Sequence, residues 1–265
     1  MAGLDSCGFV EMLCGVPPAN QSHAEFRDGA GVFATTRWSL VLRAGSGDAP
    51  DAAAAMTQLC RDYWYPLYSF VRRRGASIEE AQDLTQGFFL KVIEEAVFAK
   101  ASAEKGRLRS YLLGALQHFL TQQYRRAQTQ KRGGGAAIVS IDEIEAEKRY
   151  ALEPADLQTP EAQFERSWAF ALVERVMARL GEDYTQAGRA QLFEKLQPYL
   201  SGKSGMPDYA VLGNEVGLSA ATVAVAIHRM RRRCGELLRE EIAQTVDSPE
   251  EVEAEIAYLR KVLAR

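Results

Sequence analysis

The chain has 265 residues, of which 47% are hydrophobic and 25% charged, and its net charge is −3. This composition is that of an ordinary globular protein with enough chain for one large core or two small ones, and it argues against wholesale disorder. No apolar run approaches the length that spans a bilayer, and residues 1–20 lack the basic leader of a secretory signal, so we expect a cytoplasmic protein without a membrane partner.

The cysteines and histidines give no sign of a metal or redox site. The three histidines have no partner spacing, and the spacings of the four cysteines match no known motif. The cysteines are Cys7, Cys14, Cys60 and Cys234. No paired carboxylates, nucleophile arrangement or glycine-rich phosphate loop stands out either. We therefore predict that the protein is not an enzyme and uses neither a metal ion nor a cofactor.

Basic and acidic residues are segregated along the chain. Seven basic residues and no acid lie between Lys105 and Arg132, whereas acids gather at 142–147 and in the C-terminal tail. Blocks of opposite charge indicate a polyanionic partner that parts of the chain contact.

The first 34 residues have the composition of a weakly ordered tail, because Pro17-Pro18 and scattered glycines interrupt any helical pattern. Thr35 or Thr36 then predicts the cap of a short helix that carries Trp38 and ends at the turn 45–48. The first helical domain is therefore placed at residues 35–130.

Two longer helices are predicted next. Residues 52–74 place their apolar side chains on one stripe, with a kink expected at Pro66. Ser77 and Glu80 have the spacing of a capping box, which opens a second helix that continues through Val92.

The clearest amphipathic pattern in the chain follows a loop at 99–106 and ends before the triple glycine 133–135. Its apolar residues recur at helical spacing opposite a polar and basic face. They are Leu108, Tyr111, Leu112, Ala115, Leu116, Phe119 and Leu120.

Residues 131–160 indicate a flexible linker, with the triple glycine, the acidic stretch and two prolines. Thr159-Pro160 is typical of a helix start and opens a second domain at 161–243, in which another helix is predicted at 189–200. No run of alternating strand residues occurs. The predicted fold class is all-α, with two helical domains joined by a flexible acidic linker.

The stretch 209–233 has the pattern of a helix-turn-helix. A short helix precedes Gly217, where a positive φ is cheapest, then Leu218 fills the elbow and Ser219 caps a second helix. Arginines toward the end of the second helix are suited to hold phosphates beside a groove. An ordinary helical hairpin with a solvated basic face is the alternative.

The basic segment 105–132 also carries aromatic rings, a combination typical of single-strand binding. Helical spacing favours core positions for Tyr111 and Phe119. Tyr124 and the loop 99–106 are therefore the better candidates to receive unstacked bases.

Two basic helical modules, the second a C-terminal helix-turn-helix, together resemble the bacterial RNA polymerase sigma factors of the extracytoplasmic-function class, which keep only domains two and four. Ala81-Gln-Asp-Leu-Thr-Gln-Gly-Phe-Phe is similar to the family's Asp-Leu-x-Gln-x-x-Phe motif, and Gly106-Arg-Leu-Arg-Ser-Tyr-Leu-Leu to its promoter-melting segment. Thr-Thr-Arg-Trp-Ser-Leu-Val and Tyr-Trp-Tyr-Pro-Leu-Tyr are similar to a subgroup abundant in planctomycete-like bacteria. The resemblance covers about residues 35–242.

The resemblance implies a function in transcription initiation. The implied partners are promoter DNA and core RNA polymerase, through the clamp helices of its β′ subunit and its β flap; an anti-sigma factor or another regulator is left open. The implied polymerase-binding residues are Asp83, Gln86 and Phe89. Those implied in binding and melting the proximal promoter element are Arg107, Arg109, Tyr124, Arg125 and Arg126. Those implied at the helix-turn-helix are Ser219, Ala220, Ala221, Thr222, Val225, Arg229, Arg232 and Arg233.

The second helix of the motif departs from the family pattern in one place. Where the family usually offers a polar or basic trio to the bases, this chain has Ala224, Val225 and Ala226. These side chains can touch thymine methyl groups but cannot make the bidentate hydrogen bonds that each contribute roughly 1–3 kcal/mol of discrimination. The strength of base reading at the distal promoter element stays open.

The chief alternative function is a transcriptional regulator with one helix-turn-helix and a helical sensor domain. It explains the second module, but neither the acid-free segment nor the polymerase-binding motif. The ability to start transcription with core polymerase separates the two.

Two segments outside the motifs leave alternatives open. The acidic stretch within 136–158 either threads a basic channel of the polymerase or is a solvated tether. In the extension 244–265, Ser248 to Glu251 predict a capping box and a helix start, followed by an apolar stripe from Val252 to Leu263. That helix either packs back on its own helix-turn-helix domain, or covers a polymerase-docking or DNA surface, or receives a regulator.

Overall fold

The computed structural model describes residues 50–94, 107–129, 146–147, 150, 159–201, 206–246 and 248–264. Within these ranges the regular structure is helical throughout and contains no strand, so the all-α prediction is confirmed there. The helices are α1 (Pro50–Arg73), α2 (Ile78–Glu94), α3 (Leu108–Thr129), α4 (Pro160–Gln186), α5 (Ala190–Leu196), α6 (Tyr209–Val216), α7 (Ala220–Ala243) and α8 (Pro249–Leu263), with a 3₁₀ turn at Gln197–Ser201. The predicted helix around Trp38 and the loop 99–106 lie outside the described residues.

The described residues fall into two compact units. The N-terminal unit extends to Trp168 and includes 244–246, and the C-terminal unit contains 169–243 and 248–264. The division therefore lies inside α4, whereas the sequence places it in the segment 131–160.

Hydrogen bonds explain why the first turns of α4 belong to the N-terminal unit. Ser69 Oγ of α1 lies 3.2 Å from Ser167 Oγ, and Gln117 Nε2 of α3 lies 3.1 Å from a Glu161 carboxylate oxygen. Trp168 on the same turns is fully buried. The sequence assigns the start of α4 to the second domain, but these first turns pack into the N-terminal unit.

The helices of the N-terminal unit form for the reasons that the sequence predicts. The apolar stripe of α1 is buried, and the helix passes through Pro66 and ends at Arg73, two residues before Gly75, whose φ is +92°. The capping box at the start of α2 is confirmed, because the Ser77 N–H donates to Glu80 at 3.0 Å and the Glu80 N–H donates to Ser77 Oγ at 3.2 Å. These two bonds satisfy backbone donors that the first turn of a helix leaves unpaired.

The start of α4 is also confirmed, but the helix predicted at 189–200 is divided. The hydroxyl of Thr159 accepts the N–H of Ala162 at 3.2 Å, as a cap does. Further along, α5 ends at Leu196 and the chain tightens into the 3₁₀ turn. Pro198 accounts for the change, because it has no N–H to continue the α-helical bonding pattern.

The C-terminal extension forms α8, which packs against α7 within the C-terminal unit. Its apolar stripe is buried, and Arg239 of α7 pairs with Glu253 of α8 at 2.8 Å. The helix starts where the sequence predicts, although the Ser248 hydroxyl caps no backbone N–H. The packing agrees with the first interpretation of this segment, a buttress of its own helix-turn-helix.

Candidate nucleic-acid interface

Helices α6 and α7 form a helix-turn-helix. Gly217 has a left-handed φ of +70°, and its N–H donates to the carbonyl of Gly213, which also accepts the N–H of Leu218 at 2.9 Å. The chain bends by 93° between the two helices, within the range of this motif. The turn that Gly217 predicts is therefore confirmed.

Gly213 is a second glycine that the turn requires, and its role was not predicted from the sequence. A Cβ built on Gly213 would overlap the carbonyl oxygen of Leu218. Only glycine lets the elbow approach α6 this closely. The signal was present, because Gly213 stands four residues before Gly217 and a helical turn places residues with this spacing on one face.

Contacts behind the motif hold α7 in place. Val223, Ile227 and Met230 are buried on its inner face. Arg231 donates to the carbonyl of Tyr199 in the 3₁₀ turn at 2.7 Å. The outward face of α7 is thereby fixed in its orientation.

The outward face of α7 begins with small and apolar side chains. Ser219 Oγ accepts the N–H of Thr222 at 3.1 Å and lies 2.8 Å from the Thr222 hydroxyl, so both hydroxyls are engaged at the cap. Ala220, Ala221 and Thr222 are exposed, and Val225 is 50% exposed. The predicted residues of the first two turns are thus accessible together.

Basic side chains follow on the same face of α7. Arg229 and Arg232 are exposed one and two turns beyond Val225. Arg232 approaches Glu236 at 3.5 Å, an exposed pair of the kind that contributes at most about 1 kcal/mol and is screened by salt. A phosphate can therefore replace the carboxylate at little cost.

Arg233, predicted as a DNA contact, is held by carboxylates of its own unit. Its guanidinium lies 2.8 Å from Asp183 and within 4 Å of Glu236 and Glu240. The hydrogen bond to Asp183 is the main cause that raises the pKa of Arg233. Since Asp183 is far from Arg233 in sequence, a sequence pattern could not reveal the pairing; the DNA contact at Arg233 stays a prediction.

Arg109 was also predicted to contact promoter DNA, and its burial contradicts that prediction. Its side chain is only 2% exposed, its Nε lies 2.6 Å from a carboxylate oxygen of Glu165, and its guanidinium sits 4.5 Å from the ring centroid of Trp168. A guanidinium enclosed in this way cannot reach a phosphate. Arg109 therefore joins α3 to the first turns of α4 and is not a DNA contact in this conformation.

The remaining basic candidates of α3 are accessible at its C-terminal end. Tyr124, Arg125 and Arg126 are exposed there, whereas Arg107 is half-buried before the first turn. Phe119 is buried as predicted, whereas Tyr111 is only half-buried and does not reach the predicted core position; partial burial raises the pKa of its hydroxyl. The end of α3 thus combines an aromatic ring with two cations, the requirement for stacking and backbone contacts to a single strand.

The polymerase-binding candidates on α2 divide between surface and core. Asp83 is exposed and Gln86 half-buried, but Phe89 is only 5% exposed. The ring of Phe89 stacks on Trp64 with 5.8 Å between centroids, so this residue was wrongly placed on a contact surface. Leu90, four residues after Gln86 on the same face, is 52% exposed and is the apolar group that this surface offers.

One residue of the predicted acidic linker is held against α1. Glu147 pairs with Arg72 at 3.0 Å and accepts a hydrogen bond from the hydroxyl of Tyr68, and the Arg72 guanidinium lies 4.9 Å from the ring centroid of Tyr150. Burial, which raises the pKa of Glu147, is outweighed by the hydrogen bonds from Arg72 and Tyr68, so the pKa is lowered. Glu147 is therefore not part of a freely solvated tether; Asp142, Glu143 and Glu145 lie outside the described residues.

No known family model, curated protein or solved structure matches the chain. Among the described residues, no single helix combines the length and apolar character needed to cross a membrane; α6 and α7 do so only when taken together across their bend.

Proposed function

We propose that the protein is an RNA polymerase sigma factor that directs promoter recognition and transcription initiation. The observation that carries the proposal is the outward face of α7, where an accessible tip is followed by Arg229 and Arg232 behind a helix-turn-helix bend of 93°. A second helix presented in this way fits a major groove, with its first turns at the base edges and its basic end near the phosphates.

The end of α3 supports a function in promoter opening. Tyr124, Arg125 and Arg126 are exposed in a segment that the sequence leaves without acids. Extruding a base costs a few kcal/mol, about what one stacking contact with a cation beside it can offset. This combination has no evident use in a sensor domain of a simple regulator.

The exposed face of α2 supports association with core polymerase. Asp83, Gln86 and Leu90 recur at helical spacing on that face. The resemblance assigns such a face to the clamp helices of the β′ subunit, and here Leu90 takes the place that Phe89 was expected to occupy. In this proposal the two compact units serve as sigma domains two and four, and the chain passes from one to the other inside α4, after Trp168.

Co-purification with core polymerase tests the association. We expect the full chain to bind core polymerase, and a variant carrying Asp83→Lys, Gln86→Ala and Leu90→Ala to bind at least about tenfold more weakly, since a few central residues dominate such interfaces. Ile78→Ala is the matched control, because Ile78 is an exposed apolar residue on a different face of α2. Equal binding by the triple variant would remove this surface from the proposal, and no binding by the wild type would favour the single helix-turn-helix regulator.

Permanganate footprinting of promoter fragments tests the opening step. The holoenzyme should expose reactive thymines near the start site, and the Arg125→Ala, Arg126→Ala double variant should expose few or none. Arg61→Ala, which removes an exposed arginine from α1, serves as the control for lost charge. Opening by the double variant at the wild-type level would contradict the assignment.

A further inference from the structure

The tip of α7 has almost no means of reading bases through hydrogen bonds. From Ala220 to Ala226 the only polar side chain is that of Thr222, and its hydroxyl lies 2.8 Å from the Ser219 hydroxyl at the cap. What remains accessible is hydrocarbon, chiefly the 50% exposed side chain of Val225 and the exposed Cβ of Ala221. The side chains of this tip cannot themselves make bidentate contacts to guanine or adenine.

The charges of α7 place this hydrocarbon at the bases and not at the phosphates. Arg229 and Arg232 lie beyond Val225 on the same face, and Arg233 pairs with Asp183. With the basic end at the phosphate backbone, the apolar tip meets the floor of the groove. The positions of the arginines therefore indicate how α7 is oriented on the DNA, which the apolar tip alone would not.

In the major groove, thymine is the one base whose edge carries an apolar group, its C5-methyl. We propose that the protein selects its distal promoter element by contact between thymine C5-methyl groups and Val225, supported by Ala221 and the methyl group of Thr222. The duplex that it selects is thus one with T·A pairs at the positions below the α7 tip. This inference rests on the proposed function only in taking promoter DNA as the ligand of α7.

Removing methyl groups from the DNA tests the proposal directly. The full chain, assembled with core polymerase, selects from a random duplex library made once with thymine and once with deoxyuracil, which differs only by lacking the methyl group. The thymine library should yield a T-containing distal element. In the selected duplex, each contacted thymine replaced by uracil should weaken binding about fourfold, the factor for one methyl group removed from water. A 5-methylcytosine placed there should bind more tightly than cytosine, because it restores the methyl group.

Two equally exposed valines of the helix-turn-helix provide the test variant and its matched control. Val225→Ala should bring the ratio of thymine to uracil affinity close to one at a single position, whereas Val211→Ala, at an equally exposed valine of α6, should leave every ratio unchanged. Circular dichroism checks that both variants keep the helical content of the wild type.

The outcomes separate this inference from the proposed function. Equal selection from both libraries by a holoenzyme that initiates transcription overturns methyl reading and leaves the sigma assignment intact. Methyl-dependent binding by the chain alone, without initiation when core polymerase is present, upholds methyl reading and overturns the sigma assignment. A ratio that Val225→Ala does not change also overturns the inference.

Discussion

Replacing Arg109 by alanine removes a buried charge that ties α3 to the first turns of α4. The guanidinium is 2% exposed and lies 2.6 Å from Glu165, whose side chain is 17% exposed. Without the arginine, the Glu165 carboxylate loses this ion-pair partner and is too buried to be fully hydrated. The substitution also removes the contact with the Trp168 ring.

The expected loss of stability follows from these contacts. Breaking a buried ion pair by removing one partner costs roughly 3–5 kcal/mol. Because Glu165 can regain some hydration, the lower end applies, and we expect the free energy of unfolding of the N-terminal unit to fall by about 3 kcal/mol. With a urea m-value of about 2 kcal/mol/M, the unfolding midpoint should move down by about 1.5 M.

Tryptophan fluorescence in urea is the suitable assay, because the sequence has no tryptophan after Trp168 and the signal therefore reports on the N-terminal unit. Arg125→Ala, an exposed site on the same helix, should stay within about 0.5 kcal/mol of the wild type. Arg109→Met combined with Glu165→Leu should recover most of the loss, since apolar replacement of a whole buried pair is often neutral. An Arg109→Ala variant as stable as Arg125→Ala would refute the burial of Arg109 and return it to the DNA-binding candidates.

Three further predictions concern other parts of the chain. Gly213→Ala should destabilise the C-terminal unit by about 1–3 kcal/mol, because the added Cβ forces the elbow away from α6. Gly114→Ala, which has open space around it, should stabilise α3 by about 0.5–1 kcal/mol. Thermal unfolding followed by circular dichroism measures both changes, and equal changes in the two variants would contradict both predictions. The pKa of Glu147 is lowered in the folded state, so its stabilising effect is complete above the unfolded pKa and is lost as pH falls through the folded pKa. Glu147→Gln should therefore be less stable than the wild type at pH 7, and the difference should shrink as the pH falls below the usual range of a glutamate; parallel acid-unfolding curves would speak against the contact. Burial raises the pKa of the Cys234 thiol to about 12, so at pH 8 iodoacetamide should label this cysteine only after unfolding, in a variant that lacks the other cysteines; rapid labelling of the native protein would show that α7 is less protected.

Positions that depend on helical period alone were predictable from the sequence. Phe164 and Trp168 recur on one face of α4 and are fully buried, because a helix must cover such a stripe. The turn at Gly217 was predictable for a similar local reason, the low cost of a positive φ at glycine.

Positions that depend on partners distant in sequence were not predictable. Arg109 looked like a DNA contact within a basic segment, but Glu165, 56 residues further along the chain, neutralises it. Phe89 and Leu90 are adjacent and lie about 100° apart around α2. The orientation of the helix decides which one is buried, and the Trp64 ring from α1 stacks on Phe89 in the observed orientation. Glu147 looked like a solvated acid until Arg72 and Tyr68 were placed beside it.

Run-off transcription with core polymerase tests the central claim most directly. Full chain, core polymerase and promoter-containing genomic fragments should yield discrete transcripts that core polymerase alone does not produce, and an Arg229→Ala, Arg232→Ala variant should yield far fewer from promoters with a distal element. If the wild-type chain binds those fragments yet gives no transcript above core polymerase alone, the protein is not a sigma factor and the helix-turn-helix serves a different regulator.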